Sequence, residues 1–242
     1  MNWLTGETVV LLVQGVLFTV VLTAVTSMSS FVIGIGVGRM RLSQPPIVRT
    51  AASVFVDTFR NIPALVLIIF FAFAVPNLFP PALRQRFFFN NMLAEWGQGI
   101  TGLSLPYYAL AAAAALTLNT SAYLAELFRA GVGTIPQEMV DAARSMGGTK
   151  TAVFYQILLP EGVRAAFPAI TSRLIHNLKN TALASFVAVP ELFHATQSSI
   201  TYSFRATEFL LLAAVLYLLL SFLLSVFLRR IEHTFRSASH LP

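Results

Sequence analysis

Five runs of this chain are long and apolar enough to cross a lipid bilayer, and nothing else constrains its fold as strongly. They cover residues 9–37, 54–78, 106–130, 162–187 and 209–228. A span needs about 20 mostly apolar residues, because a helix rises about 1.5 Å per residue through about 30 Å of hydrocarbon. In lipid every backbone N–H and C=O must find its partner inside the protein, so such runs form helices. Composition agrees: 11% of residues are charged and 56% hydrophobic, against roughly 25% charged in soluble domains. The expected fold is an all-α membrane protein of five transmembrane helices, one transmembrane domain over residues 1–242. The first run is too long for the apolar core of a signal peptide, and the first basic residue, Arg39, follows it, so it is expected to remain a span.

Charge sets the expected orientation. Arg39, Arg41, Arg49, Arg60, Arg129, Arg144, Lys150, Arg164, Arg229, Arg230 and Arg236 fall on one side of the runs, and Arg84, Arg86 and Arg205 on the other. Basic residues collect on the cytoplasmic side, which puts the N-terminus outside and the C-terminus inside. The net charge of +6 is thereby assigned to topology and lipid headgroups, and no nucleic-acid partner is expected. The chain has no cysteine, which excludes disulfides and thiolate chemistry. Its histidines, His176, His194, His233 and His240, lack metal-ligand spacing.

The connection between the third and fourth runs, residues 134–160, contains DAARSMGGTKTAVFYQILLP from Asp141 to Pro160. Pro136 is pre-set for a first helical turn, and Glu138 and Asp141 suit its positive end. Ala142 and Ala143 favour helix and let another backbone approach closely. Gly147-Gly148 is expected to end that helix, an apolar arm 152–159 to return, and Pro160 to begin the next helix. Such a segment can be an ordinary helix-turn-helix. Its spacing, however, resembles the EAA loop of the membrane subunits of bacterial ATP-binding-cassette importers, with Asp141 in place of the usual Glu. The resemblance implies a docking element for a cytoplasmic ATPase, carried by Asp141, Ala142, Ala143, Gly147, Leu159 and Pro160.

Further stretches narrow the resemblance to polar amino-acid importers. FRNIPALV at 59–66 is similar to that group's FRGTPLLV, and LNTSAYLAELFRAG at 118–131 to LNSGAYLAEIFRGG. LKNTALAS at 178–185 resembles LKDTSLLS, and Val189-Pro190-Glu191-Leu192 resembles the start of VPELL.

Two polar stripes interrupt the apolar runs. Asn119, Tyr123 and Glu126 stand at i, i+4 and i+7, and share a helix face. Ser172, His176 and Lys179 repeat that spacing, with Arg173, Asn177, Asn180 and Thr181 around them. Ionisable groups within spans are costly and mark pathways or seams. Asn119, Tyr123, Glu126, His176, Lys179 and Asn180 are thus candidates for a substrate route. Glu126 equally suits a structural ion pair with Arg129 or a basic group of the fourth span, and His176 a structural hydrogen bond. Asp57 and Arg60 are spaced to pair on one helix face. Gly34, Gly36 and Gly38 suit either close helix contact or local loosening. Residues 83–96, with Phe87, Phe88, Phe89 and Trp96, read as an amphipathic helix at the outer interface. The segment after Pro190 reads as a re-entrant or interfacial helix.

The resemblance implies a bacterial inner-membrane permease subunit of an amino-acid importer. Its implied partners are a second permease (identical or paralogous), two ATPase subunits, a soluble substrate-binding protein, membrane lipid and an amino-acid substrate. Gly147-Gly148-Thr149-Lys150-Thr151 departs from the phosphate-loop pattern, and no strand precedes it. No cofactor is therefore expected in this chain, and ATP with Mg²⁺ is expected on the partner ATPase. An ion-coupled carrier or channel is the alternative. A membrane enzyme would need a catalytic cluster, which the sequence does not display.

Overall fold

The computed structural model describes residues 4–89 and 106–237, and all regular structure among them is helical. α1 (Gly6–Arg41) and α2 (Pro46–Asn61) come first. α3 (Ala64–Ile69) continues through a π-helical turn at Phe70–Ala74 into Val75–Asn77. The short α4 (Pro81–Arg84) runs into a second π turn, Gln85–Phe89. α5 (Tyr107–Val132) and α6 (Gln137–Ser145) follow. α7 (Lys150–Val153) joins α8 (Leu159–Asn180) through a π turn at Phe154–Leu158. A 3₁₀ stretch at Thr181–Val187, α9 (Leu192–Ser203) and α10 (Ala206–Ser237) complete the chain. The expected amphipathic helix is seen only in its first part, and residues 90–96 of it lie outside the described residues.

By length and apolarity, two helices among the described residues suffice to cross a membrane: Gly6–Arg41, and Ala206–His233 within α10. The bent pair α2 and α3 is a third if it acts as one broken span. Only 28% and 11% of the apolar windows of those two helices are buried. Val21, Val25 and Val32 of α1 and Leu218, Phe222 and Leu223 of α10 are more than half exposed or nearly so. Apolar faces of that extent suit a lipid solvent. α5 is alanine-rich and α8 carries charges, which lowers the apolarity of both.

Prolines explain two of the π turns. Val75 N–H bonds to Phe70 C=O, and Leu159 N–H bonds to Phe154 C=O. Each i→i−5 bond ends one residue before a proline, Pro76 and Pro160. Proline has no N–H and its ring clashes with the carbonyl four residues back, so the chain widens by a residue there. Pro160 accordingly lies inside a continuous helical rod, one residue into α8, rather than at the start of a new helix.

The chain divides into two compact units. The first comprises residues 1–28, 61–119 and 177–220. Its core joins Leu12, Leu192, Ala195 and Phe209, flanked by Val16, Leu212 and Leu216. At Gly15 a Cβ would sit 2.9 Å from Ala195 Cβ and 3.0 Å from Leu192 Cα, so α1 and α9 touch at backbone distance. Fully buried Glu191 caps α9, accepting from Phe193 N at 2.9 Å, His194 N at 2.7 Å and Tyr217 Oη at 2.5 Å. Thr19 Oγ1 accepts from Leu192 N at 3.0 Å. Asn177 Nδ2 donates to Thr26 Oγ1 at 2.8 Å, which ties the end of α8 to α1.

The second unit comprises residues 29–60, 120–176 and 221–242. Leu124, Ala166 and Ile170 form a buried cluster with Phe31, Leu127 and Leu174 around it. A Cβ on Gly34 would approach Leu124 Cβ to 2.7 Å, and one on Gly38 would approach Phe128 Cδ1 to 2.7 Å, whereas Gly36 faces open space. Gly34 and Gly38 therefore serve close helix packing, and Gly36 does not. Gly131 and Gly162 do the same for α5 and α8, since neither site has room for a side chain.

Candidate functional site

The helical loop is built by its own sequence. Pro136 sits at the N-cap of α6, one position before its expected place. At the other end Gly147 adopts φ +89°, Gly147 N–H bonds to Arg144 C=O at 2.9 Å, and Gly148 N–H bonds to Ala143 C=O at 3.0 Å. These two bonds form a Schellman motif, which a left-handed glycine permits. Thr149 then caps α7, its Oγ1 accepting from Ala152 N at 3.1 Å. Asp141, Ala142 and Gly147 are exposed and Ala143 is half-buried, while Leu159 is half-buried and Pro160 exposed. A cavity of ≈ 330 Å³ lies beside the start of α6, lined by Thr134, Pro136, Met139, Glu161 and Arg164 among others.

The α5 stripe has local work that sequence reading missed. Asn119 Nδ2 donates to Ile62 C=O at 3.4 Å, and Tyr123 Oη donates to Arg60 C=O at 3.2 Å. Both carbonyls lie at the end of α2, where Pro63 interrupts the helical ladder. Freed carbonyls in lipid need donors, and Pro63 itself was the signal that such donors exist. Tyr123 also lies under two guanidiniums, with Arg173 at 3.8 Å and Arg60 at 5.6 Å from its ring centroid.

Glu126 is ion-paired. It meets Arg129 at 2.6 Å, Arg60 at 3.8 Å, and Arg41 in direct contact. Arg129 is the partner the spacing offered, but the other two come from α1 and α2 and not from the fourth span. Arg60 therefore turns to Glu126 and Tyr123, and no ion pair forms with Asp57, which stays exposed. Three guanidiniums surround one carboxylate, so the cluster carries a positive excess.

On α8, Ser172, His176 and Lys179 are exposed, and Asn180 is half-buried. Buried Asn177 faces inward to α1. The i, i+4, i+7 stripe thus lies on an open face of a single chain, available to a seam or an aqueous path.

The model of the binding-protein-dependent transport system inner membrane component family matches residues 30–237. A probable glutamine ABC transporter permease of Bacillus subtilis is 32% identical over 222 residues, covering 90% of this chain and 91% of its own. The glutamine transport system permease of Escherichia coli is 28% identical, with 92% and 91% covered. The octopine transport system permease of Rhizobium radiobacter is 27% identical, with 90% and 83% covered. Among solved structures, an amino acid ABC transporter with histidines superimposes at TM-score 0.74, with 22% identity over 94% of this chain and 95% of that one. An inward-facing methionine ABC transporter does so at 0.71, with 23% identity over 96% and 99%. The latter two establish a shared fold. With a family model spanning most of its length and a relative at that identity, the chain belongs to the inner membrane component family of binding-protein-dependent transport systems.

Proposed function

We propose that this chain is the permease subunit of an ATP-driven amino-acid importer in the bacterial inner membrane. The observation that carries the reading is the loop: an exposed helix closed by a Schellman glycine, on a chain of this family. On this reading α6 docks in a cleft of the partner ATPase through Asp141, Ala142, Ala143 and Gly147, and Leu159 and Pro160 pass the movement to α8. Five spans at the residues given above cross the membrane. A second permease completes the pathway, two ATPase subunits bind ATP and Mg²⁺, and a soluble binding protein delivers the solute. Two globally distinct states then expose the route alternately to either side.

Asn119, Tyr123, His176, Lys179 and Asn180 are the proposed route, and Glu126, held by three arginines, is its structural end. The positive excess there suits a solute carboxylate, which every amino acid has. An ion-coupled carrier or channel needs its own coupling ion site and no docking loop.

The test is reconstitution with the ATPase and binding protein of the native source. Uptake from a labelled mixture of the common L-amino acids is expected only with ATP inside the ATPase compartment. Uptake driven by an ion gradient without ATP would overturn the reading. In the same assay His176→Ala is expected to raise the solute concentration needed for half-maximal uptake.

Orientation has a separate readout. A reporter that is active only in the cytoplasm, fused after Pro242, is expected to be active, because basic residues favour the inner side. An inactive reporter on an inserted protein would reverse the topology.

A further inference from the structure

Arg39 is the second last basic residue of α1, and it meets the return arm of the loop. Its Nη1 donates to Tyr155 Oη at 2.8 Å. Its guanidinium carbon lies 4.7 Å from the Phe154 ring centroid and 5.1 Å from that of Tyr155. Those two rings stand nearly perpendicular, at 85° and 5.2 Å between centroids. The guanidinium therefore sits in an aromatic corner made by the π turn that precedes Pro160. Buried Phe154 also meets Phe128 of α5 edge-on, at 6.3 Å and 75°. Gly38, the neighbour of Arg39, lets α1 close onto the same Phe128.

We infer that Arg39 is a positioning residue for coupling, the fastener by which movement of the loop reaches the end of α1. The inference rests on the reading that the loop docks the ATPase. The edge-on Phe154–Phe128 contact is apolar, and the orientational preference of such a ring pair adds little to its burial. The Arg39 contact is directional: it combines a hydrogen bond with cation–π approach to two rings, and it fails when the arm shifts or turns. A planar guanidinium presents its donors in a fixed fork and does both in one orientation, whereas a lysine ammonium is a compact point charge on a flexible stem. A residue that served stability alone would have no influence on how much solute moves for each ATP spent.

The experiment compares Arg39→Ala, Arg39→Lys and Tyr155→Phe with wild type in the reconstituted complex. Three quantities are read: ATPase co-purified, ATP hydrolysed, and uptake from the labelled amino-acid mixture. For Arg39→Ala, uptake per ATP is expected to fall about five- to tenfold, while bound ATPase and hydrolysis stay within about twofold. Arg39→Lys is expected to fall in between, and Tyr155→Phe, which keeps both rings and loses only the hydrogen bond, to fall about twofold. If Arg39→Ala does not assemble, the other two variants decide. Unchanged uptake per ATP in the assembled variants overturns the assignment, as does a loss of complex with coupling intact in what remains. Gly147→Leu in parallel separates the two ideas. If it abolishes uptake while the Arg39 variants keep full coupling, the loop reading stands and the Arg39 assignment falls; if it leaves uptake normal, the loop reading itself falls.

Discussion

Gly147→Leu is expected to abolish uptake and to release the ATPase, with the protein still inserted in the membrane. A Cβ at Gly147 would meet nothing within 4 Å, so the chain's own packing does not forbid a side chain there. Two other effects act. At φ +89° a leucine is strained by about 1–2 kcal/mol, which loosens the Schellman closure of α6. The leucine would also project from the exposed end of α6, where the proposed docking brings the ATPase surface. Gly147→Asn separates them, because asparagine tolerates the left-handed region while still adding bulk. Asn is expected to leave the loop folded and still to weaken ATPase co-purification. Normal uptake and normal co-purification by Gly147→Leu would refute the docking role.

The second large effect is expected at Glu191. Its carboxylate is fully buried and receives two backbone N–H groups and the Tyr217 hydroxyl. Glu191→Ala strands all three donors. Each stranded buried group costs about 1–3 kcal/mol, and a marginally stable protein holds roughly 5–15 kcal/mol in total. The variant is expected to lose most of its folded yield in detergent, measured by size-exclusion profile after mild heating. Glu191→Gln keeps one acceptor oxygen and presents an N–H to groups that also donate, so its loss is expected to be smaller. Tyr217→Phe leaves both backbone caps in place and is expected to be the mildest of the three. A Glu191→Ala protein with wild-type thermal behaviour would show that the cap is dispensable.

These residues also show what a sequence can and cannot disclose. The end of α6 was readable because Gly147-Gly148 is a local signal and a Schellman motif closes within six residues. Glu126 as an ion-paired group was half readable. Arg129, three residues on, was visible by helical spacing, whereas Arg41 lies 85 residues away and no periodicity points to it. The same distance hid the failure of Asp57 to pair with Arg60, which is drawn off to Glu126. Glu191 resembled part of a known stretch, but its bond to Tyr217, 26 residues on, depends on how α9 and α10 pack. The long apolar helices α1 and α10 were legible from hydropathy alone. α5 and α8 were legible as helices, yet they are too rich in alanine, hydroxyls and charge to pass the same apolar test. The donors that serve the end of α2 went unread, although Pro63 announces a gap in the ladder that something must fill.

The widened turn before Pro160 makes the loop's aim a matter of chain length. Phe154–Leu158 holds one residue more than an α-helical turn would, and that residue sets the rotation of Lys150–Val153 around the axis of α8. Removing a single residue from this turn would take away the extra residue while Pro160 still forbids an α-helical bond there, and would swing everything upstream by about 100° around that axis. Phe154 and Tyr155 would then point away from Arg39, and α6 would present another face to the proposed ATPase, although no side chain of α6 had changed. Substitutions at Gln156, Ile157 and Leu158 of this turn should consequently be far better tolerated than single-residue insertions or deletions. Homologues should vary at the turn's positions other than Phe154 and Tyr155, and hardly at all in its length.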